Sequence, residues 1–232
     1  MLCPAEMCYT VTMILYCIPY APIPNETHML ALMPRARRLR HAALHPGVGP
    51  LFAYALLSFA LEQAYSLCPD ELVYTDRGKP YLPGYPIHFS LSHSKSHALC
   101  ALADVPLGCD VELHRSVPTN IQRRVLGAGE SPEDFFAYWT LKESLFKLSK
   151  EFDQPFPTLT FMLTGNQATG QGAHGWLYRD IPNCTAAVVA EHPFARPPLE
   201  LLAPETLFAY TAEKQKAPRS KKGERTNDVD LY

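Results

Sequence analysis

Asp110 and Glu112 stand either side of the apolar Val111 in "PLGCDVELHRS" (residues 106–116), a stretch with the composition of a buried strand. Residues two apart on a strand share a face. The two carboxylates therefore project side by side, and like charges that close repel unless something neutralises them. Three neutralisers are open: a divalent cation, a buried Lys or Arg, or solvent along the wet face of an edge strand. Acidic residues are depleted in strands and costly to bury unpaired. A third carboxylate, Glu143 or Glu130, would complete an oxygen-rich site suited to Mg²⁺, which takes carboxylates together with substrate phosphates and water.

A second set lies in "EDFFAYWTLKESLFKLSK", where Phe136, Thr140, Glu143 and Lys147 fall on one helical stripe. Tyr138, Leu141, Leu145 and Leu148 form the core stripe. Glu143 and Lys147, one turn apart, also fit a plain exposed ion pair worth about 0.3 kcal/mol. Lys142 is expected to be a solvated neighbour. "SLSHS" offers Ser90, Ser92, His93 and Ser94 without a G-x-S-x-G elbow, so a Ser/His hydrolase has little support. Zinc is equally poorly served, because alternation sets His88 on the opposite face from His93 and His97. A histidine and serines beside a lysine do suit phosphate oxygens, through charge-assisted hydrogen bonds. Lys79, in the turn "RGKPY", either reaches such a phosphate on its flexible stem or lies in solvent. Arg35, Arg37, Arg38 and Arg40 either grip a phosphate or an acidic partner helix, or form a solvated helix face.

These residues need elements to position them. Residues 7–18, "MCYTVTMILYCI", predict a first strand ended by prolines. Residues 50–67, opened by Pro50, predict a buried helix. "IHFSLSHSKSHALCALAD" predicts two strands around a tight connection, and "GCDVEL" a further strand. Ser131-Pro132-Glu133-Asp134 places a cap, a first-turn proline and acids at the start of a helix running to Lys150. After Pro157, "TLTFMLTG", "GWLYR" and "CTAAVVAE" predict three strands. "SHALCALAD" and "CTAAVVAEH" share a small-apolar pattern ending in an acid, which suggests a duplicated α+β unit. Residues 212–232 are charged and poor in apolar side chains, as in a disordered tail.

The 232 residues are 47% hydrophobic and 19% charged, enough for a large core without disulfides. A net charge of -2 gives no basic field for nucleic acid. Seven scattered cysteines form no C-x-x-C pair and predict reduced, mostly buried thiols in a cytoplasmic protein. The N-terminal segment lacks a basic signal-peptide region, and no apolar run reaches the length of a bilayer span.

In order and spacing, "GKPYLP", "IHFSLSHS", "LGCDVE" and "FFAYWTLKESLFK" resemble the 4′-phosphopantetheinyl transferases of the surfactin-synthetase-activating type, over roughly residues 77–150. Those enzymes carry a GKP segment, an F-N/S-h-S-H-S strand, a G-h-D-h-E strand and a W-x-x-K-E-x-h-h-K helix. The resemblance implies an α+β fold of two similar halves related by a pseudo-twofold, here 1–108 and 109–211 ahead of the tail. It implies Mg²⁺ on Asp110, Glu112 and Glu143, and the phosphates of coenzyme A on Lys79, Ser92, His93, Asp110 and Lys147. The implied reaction moves the phosphopantetheine arm of coenzyme A to a serine of an apo acyl or peptidyl carrier protein and releases 3′,5′-ADP. Lys147 would support the charge, and the base would be Glu143 directly or Glu130 through water. A chain holding both halves is expected to act as a monomer. Many relatives place Arg or Lys where "HPGVGPLF" here has Gly49 and Pro50, so either the upstream arginines substitute or the nucleotide is held less tightly. A catalytically silent relative that binds only coenzyme A or a carrier is the alternative, and the retained acids and Lys147 weigh against it. An unrelated two-metal phosphodiester hydrolase would want two ligand clusters, and the sequence offers none.

Overall fold

A computed structural model describes residues 11–45, 47–67, 72–75, 79–149 and 154–216. In chain order its elements are β1 (Met13–Pro19), α1 (Glu26–Leu32), α2 (Arg35–Leu44), α3 (Gly49–Tyr65), β2 (Val73–Tyr74), β3 (Pro80–Tyr81), β4 (His88–His93), β5 (His97–Ala103) and β6 (Leu107–Leu113). They continue as α4 (Thr119–Val125), α5 (Phe135–Ser149), β7 (Met162–Thr164), β8 (Gln167–Gly170), β9 (Ala173–Tyr178), β10 (Cys184–Ala190), β11 (Leu199–Leu201) and α6 (Pro204–Lys216).

Strands that are apolar at every position require cover on both faces, and the layering supplies it. One sheet runs β11-β1-β5-β4 and a second β6-β10-β9-β8-β7. Alternation sends Tyr16, Ile18, Ala98, Cys100 and Leu102 outward, into a core shared with α1, α3 and α6. Their neighbours Leu15, Cys17, Leu99 and Ala101 turn inward against Cys109, Val111, Ala186 and Val188 of the other sheet. The outer face of the second sheet, with Ala187 and Val189, is covered by Tyr138, Leu141, Leu145 and Leu148 of α5. The result is an α+β sandwich in four layers: helices, sheet, sheet, helix. Helix α3 is buried nearly all round, as its apolar sequence demands.

The two sheets meet edge to edge at β4 and β6. The ladder to β10 leaves alternate β6 amides pointing away from it. Serines of β4 take them up: Cys109 N–H donates to Ser90 Oγ at 3.0 Å and Val111 N–H to Ser92 Oγ at 3.4 Å. Among the described residues no helix is long and apolar enough to cross a membrane.

The hairpin β4–β5, strand β6 and the Ser131-capped approach to α5 follow the sequence reading. Residues 7–10 and Lys150, parts of an expected strand and helix, lie outside the described residues. Beyond Pro157 there are four strands before β11 rather than three, because "QATG" forms β8. The expected tail begins as helix: residues 212–216 belong to α6, anchored by buried Leu207, Tyr210 and Thr211, while residues 217–232 lie outside the described residues. The boundary expected between 108 and 109 falls within β6, and β11 and α6 return to the first sheet. The two echoing segments are β5 and β10, each an interior strand of its sheet.

Candidate active site

Period-two alternation on β6 puts Gly108, Asp110 and Glu112 on the face turned to α5. Gly108 makes the close approach there feasible, since a Cβ at that position would lie 1.8 Å from the Ser144 carbonyl oxygen. With the helix held so near, Lys147 Nζ reaches Asp110 Oδ1 at 2.8 Å and the Cys109 carbonyl at 3.1 Å. Ser92, from across the seam, donates to the same Oδ1 at 2.6 Å. Asp110 is 5% exposed, and its second oxygen, Oδ2, is buried with no hydrogen-bond partner. Buried carboxylate oxygens are normally satisfied, so this one marks a place where a further positive or donating group fits.

The surroundings are strongly acidic. Burial first, then the charge of Asp110 and that of Glu112, raises the Glu143 pKa. Glu112 is raised in the same way by burial and Asp110, opposed by Arg115, whose Nη1 donates to Glu112 Oε2 at 2.7 Å. Burial works against the charge of Lys147, but Asp110, Cys109 and Glu143 outweigh it and its pKa is raised. Among the described residues no group of three or more His, Cys, Asp or Glu side chains is placed to hold a metal ion, and Lys147 and Arg115 already pair with two of the acids. The orphaned Oδ2 and the mutually raised acids suit an additional cation.

Beside this cluster lies a cavity of about 410 Å³. Arg37, Arg40, Lys79, His93 and Lys147 bring positive charge or hydrogen-bond donors to its wall, and Leu44, Ala53 and Phe89 give it an apolar side. Lys79 Nζ donates to the carbonyls of Lys147 (2.9 Å) and Leu107 (3.2 Å), tying its loop to the end of α5 and the start of β6. Burial, then the Lys147 charge, lowers the His93 pKa. Its ring abuts Gly49 at the start of α3, where a Cβ would come within 2.8 Å of His93 Nδ1. The Tyr20 hydroxyl reaches the carbonyls of Ser94 and His97, fixing the hairpin that carries His93. Cationic walls with an apolar side suit a ligand joining phosphates to less polar groups.

No family model matches the chain. Curated relatives do. One is a 4′-phosphopantetheinyl transferase of Bacillus subtilis, 30% identical over 106 residues, 40% of this chain and 47% of the relative. Another is 4′-phosphopantetheinyl transferase Sfp of Bacillus subtilis (strain 168), 25% identical over 145 residues, 56% of this chain and 65% of the relative. A third is 4′-phosphopantetheinyl transferase psf-1 of Bacillus pumilus, 28% identical over 113 residues, 43% of this chain and 48% of the relative. The chain is similar to 4′-phosphopantetheinyl transferases. It spans about half to two thirds of the length of these curated relatives.

Of the residues that the transferase resemblance nominates, Asp110, Glu112, Glu143, Lys147, Ser92, His93 and Lys79 converge on this one region. Glu130 does not share their contacts. Its buried carboxylate pairs with Lys142 and accepts from the Gly127 and Phe161 amides. Lys142, expected in solvent, is fully buried and also bonds the Val125 carbonyl. The Glu130 charge and the Val125 carbonyl together make that burial tolerable. Glu143 and Lys147 are no isolated surface pair, because Lys147 is committed to Asp110. Sequence reasoning missed Arg115. It also missed the division of labour in the arginine run, in which Arg37 and Arg40 line the cavity beside Lys147 and Arg35 and Arg38 a separate groove.

Proposed function

We propose that this protein transfers the 4′-phosphopantetheine arm of coenzyme A to a serine of an apo acyl or peptidyl carrier protein, with Mg²⁺, releasing 3′,5′-ADP. The observation that carries the proposal is Asp110. It is buried, bound on one oxygen by Ser92 and Lys147, open on the other, and flanked by two acids whose pKa values it raises.

Asp110, Glu112 and Glu143 would hold the ion, which when bound supplies positive charge to a pyrophosphate that otherwise repels a nucleophile. Lys147, Lys79 and His93, with Arg37 and Arg40 further along the cavity, face the phosphates of coenzyme A. Ser92 keeps the Asp110 carboxylate in one orientation and ties it to the β6 edge. The carrier hydroxyl attacks the phosphorus bearing the pantetheine arm. The bond from that phosphorus to the bridging oxygen breaks, and the electron pair leaves on 3′,5′-ADP. Glu143, the third acid of the cluster, takes the hydroxyl proton. Glu130 is occupied by Lys142 and two amides, which leaves Glu143 as the base. The proposal includes a pseudo-twofold relation between the halves, supported by the matching interior strands β5 and β10.

The test is to incubate the protein with coenzyme A, Mg²⁺ and a panel of apo carrier domains, then record each carrier's intact mass. The expected result is a gain of one phosphopantetheinyl group that EDTA prevents. No gain on any carrier, with coenzyme A still bound, would instead indicate a silent binding relative.

A further inference from the structure

Arg115 has no part in the transfer chemistry, yet it holds one of the three carboxylates. Its Nη1 donates to Glu112 Oε2 at 2.7 Å and to the Leu113 carbonyl at 3.1 Å. Its guanidinium carbon lies 5.4 Å from the Trp139 ring centre and 5.7 Å from that of Phe136.

Three acids thus share two protein cations, and each cation also bonds a backbone carbonyl. Lys147 is anchored by its second bond to the Cys109 carbonyl and by the packing of α5 on β6. Arg115 stands on the irregular segment that follows β6, with its side chain 39% exposed. Glu143 makes no ion pair among the described residues. A guanidinium on Glu112 Oε2 repels a divalent cation held by the other oxygen of the same carboxylate, so Arg115 weakens the hold of Glu112 on the ion. Of the two resident cations, Arg115 is the more exposed, its side chain at 39% against 27% for Lys147. The Trp139 and Phe136 rings add cation–π contacts to the same planar group.

We infer that Arg115 is a resident counter-ion on Glu112 that opposes a divalent cation there, and that it thereby sets the affinity of the carboxylate cluster for that cation. The inference rests on the metal reading of Asp110, Glu112 and Glu143 proposed above. It assigns Arg115 a positioning role: it holds Glu112 in place and keeps the acids from driving the site apart while no ion is bound.

Calorimetric titration of the full chain with MgCl₂, without coenzyme A or carrier, tests it. Arg115→Gln should bind Mg²⁺ about three- to fivefold more tightly than the unaltered protein, the size expected for one lost ion pair of this exposure. Arg115→Lys, which keeps the charge, should stay close to the unaltered protein. Arg196→Gln removes the same charge from the Arg196–Asp180 pair elsewhere and should change nothing. Thermal melting of the same variants with and without MgCl₂ gives a second reading, with the larger gain from Mg²⁺ in Arg115→Gln. Equal or weaker binding by Arg115→Gln overturns the inference and leaves the metal reading standing. Equal tightening in Arg196→Gln overturns it too, by reducing the effect to net charge. Failure of every protein to bind Mg²⁺ overturns the inference together with the metal reading.

Discussion

Asp110 takes two donors on one oxygen and none on the other, while the acids around it are pushed toward their neutral forms. Such a cluster works against folding. A carboxyl whose folded pKa is raised contributes stability below its unfolded pKa and loses it as pH rises through the folded value. For Glu112 and Glu143 that loss begins above about pH 4.5. Glu143→Gln should therefore be more stable than the unaltered protein at pH 8, by about 0.5 to 1 kcal/mol, with a flatter dependence between pH 5 and pH 8. Urea unfolding at the two pH values checks it. A variant less stable at pH 8 would mean that Glu143 is satisfied in a way this charge balance omits. At this scale the sequence was informative wherever strand alternation or helical spacing sets direction, as for Asp110, Glu112 and Lys147. Arg115 escaped because its return to Glu112 depends on the path of the chain after β6, which no periodicity encodes.

Elements hold those side chains in register, and Gly108 is the position on which the α5–β6 approach depends. Gly108→Ala places a methyl group 1.8 Å from the Ser144 carbonyl oxygen and 2.8 Å from the Leu148 amide nitrogen. Backbone cannot yield as a flexible side chain does, so α5 must lift and carry Lys147 away from Asp110. We expect about 1–3 kcal/mol of lost stability and transfer reduced well beyond what that loss explains. Thermal unfolding and the transfer assay, run together, decide it, and native stability with native activity would show that the contact is not needed. The elements legible in the sequence were those with long or strict patterns: α3, α5, β6 and the β4–β5 hairpin. Short α1 and α4 carry too few turns for a period to emerge. Helix α6 was hidden because its charged last turn, with Glu213, Lys214 and Lys216, resembles a solvated tail.

At the scale of the molecule, the proposed site is a product of the seam between two sheets. Ser90 and Ser92 belong to the edge of one sheet and satisfy amides at the edge of the other, so Asp110 of β6 is oriented by a residue from the opposite sheet. The cavity likewise draws Arg37 and Arg40 from α2, His93 from β4 and Lys147 from α5. The ordered motifs pointed to this convergence through resemblance, whereas composition and spacing alone left each motif with a bland reading. The return of β11 and α6 to the first sheet was not legible, because a three-residue strand in parallel pairing leaves no local mark. The burial of Lys142 against Glu130 stayed hidden for a related reason, since the partner comes from a loop twelve residues upstream.

The central claim is that the Asp110 cluster performs phosphopantetheinyl transfer. Its most direct test is the initial rate of transfer to an apo carrier, followed by intact mass, for the unaltered protein and for Asp110→Asn, with circular dichroism confirming that both are folded. Asn keeps the shape and an acceptor for Ser92 but removes the charge that pairs with Lys147 and raises its neighbours. The account predicts transfer by the unaltered protein and a loss of at least about 100-fold in the variant, in line with removing an electrostatic group at a reacting centre. A folded Asp110→Asn protein that transfers at the unaltered rate would contradict it.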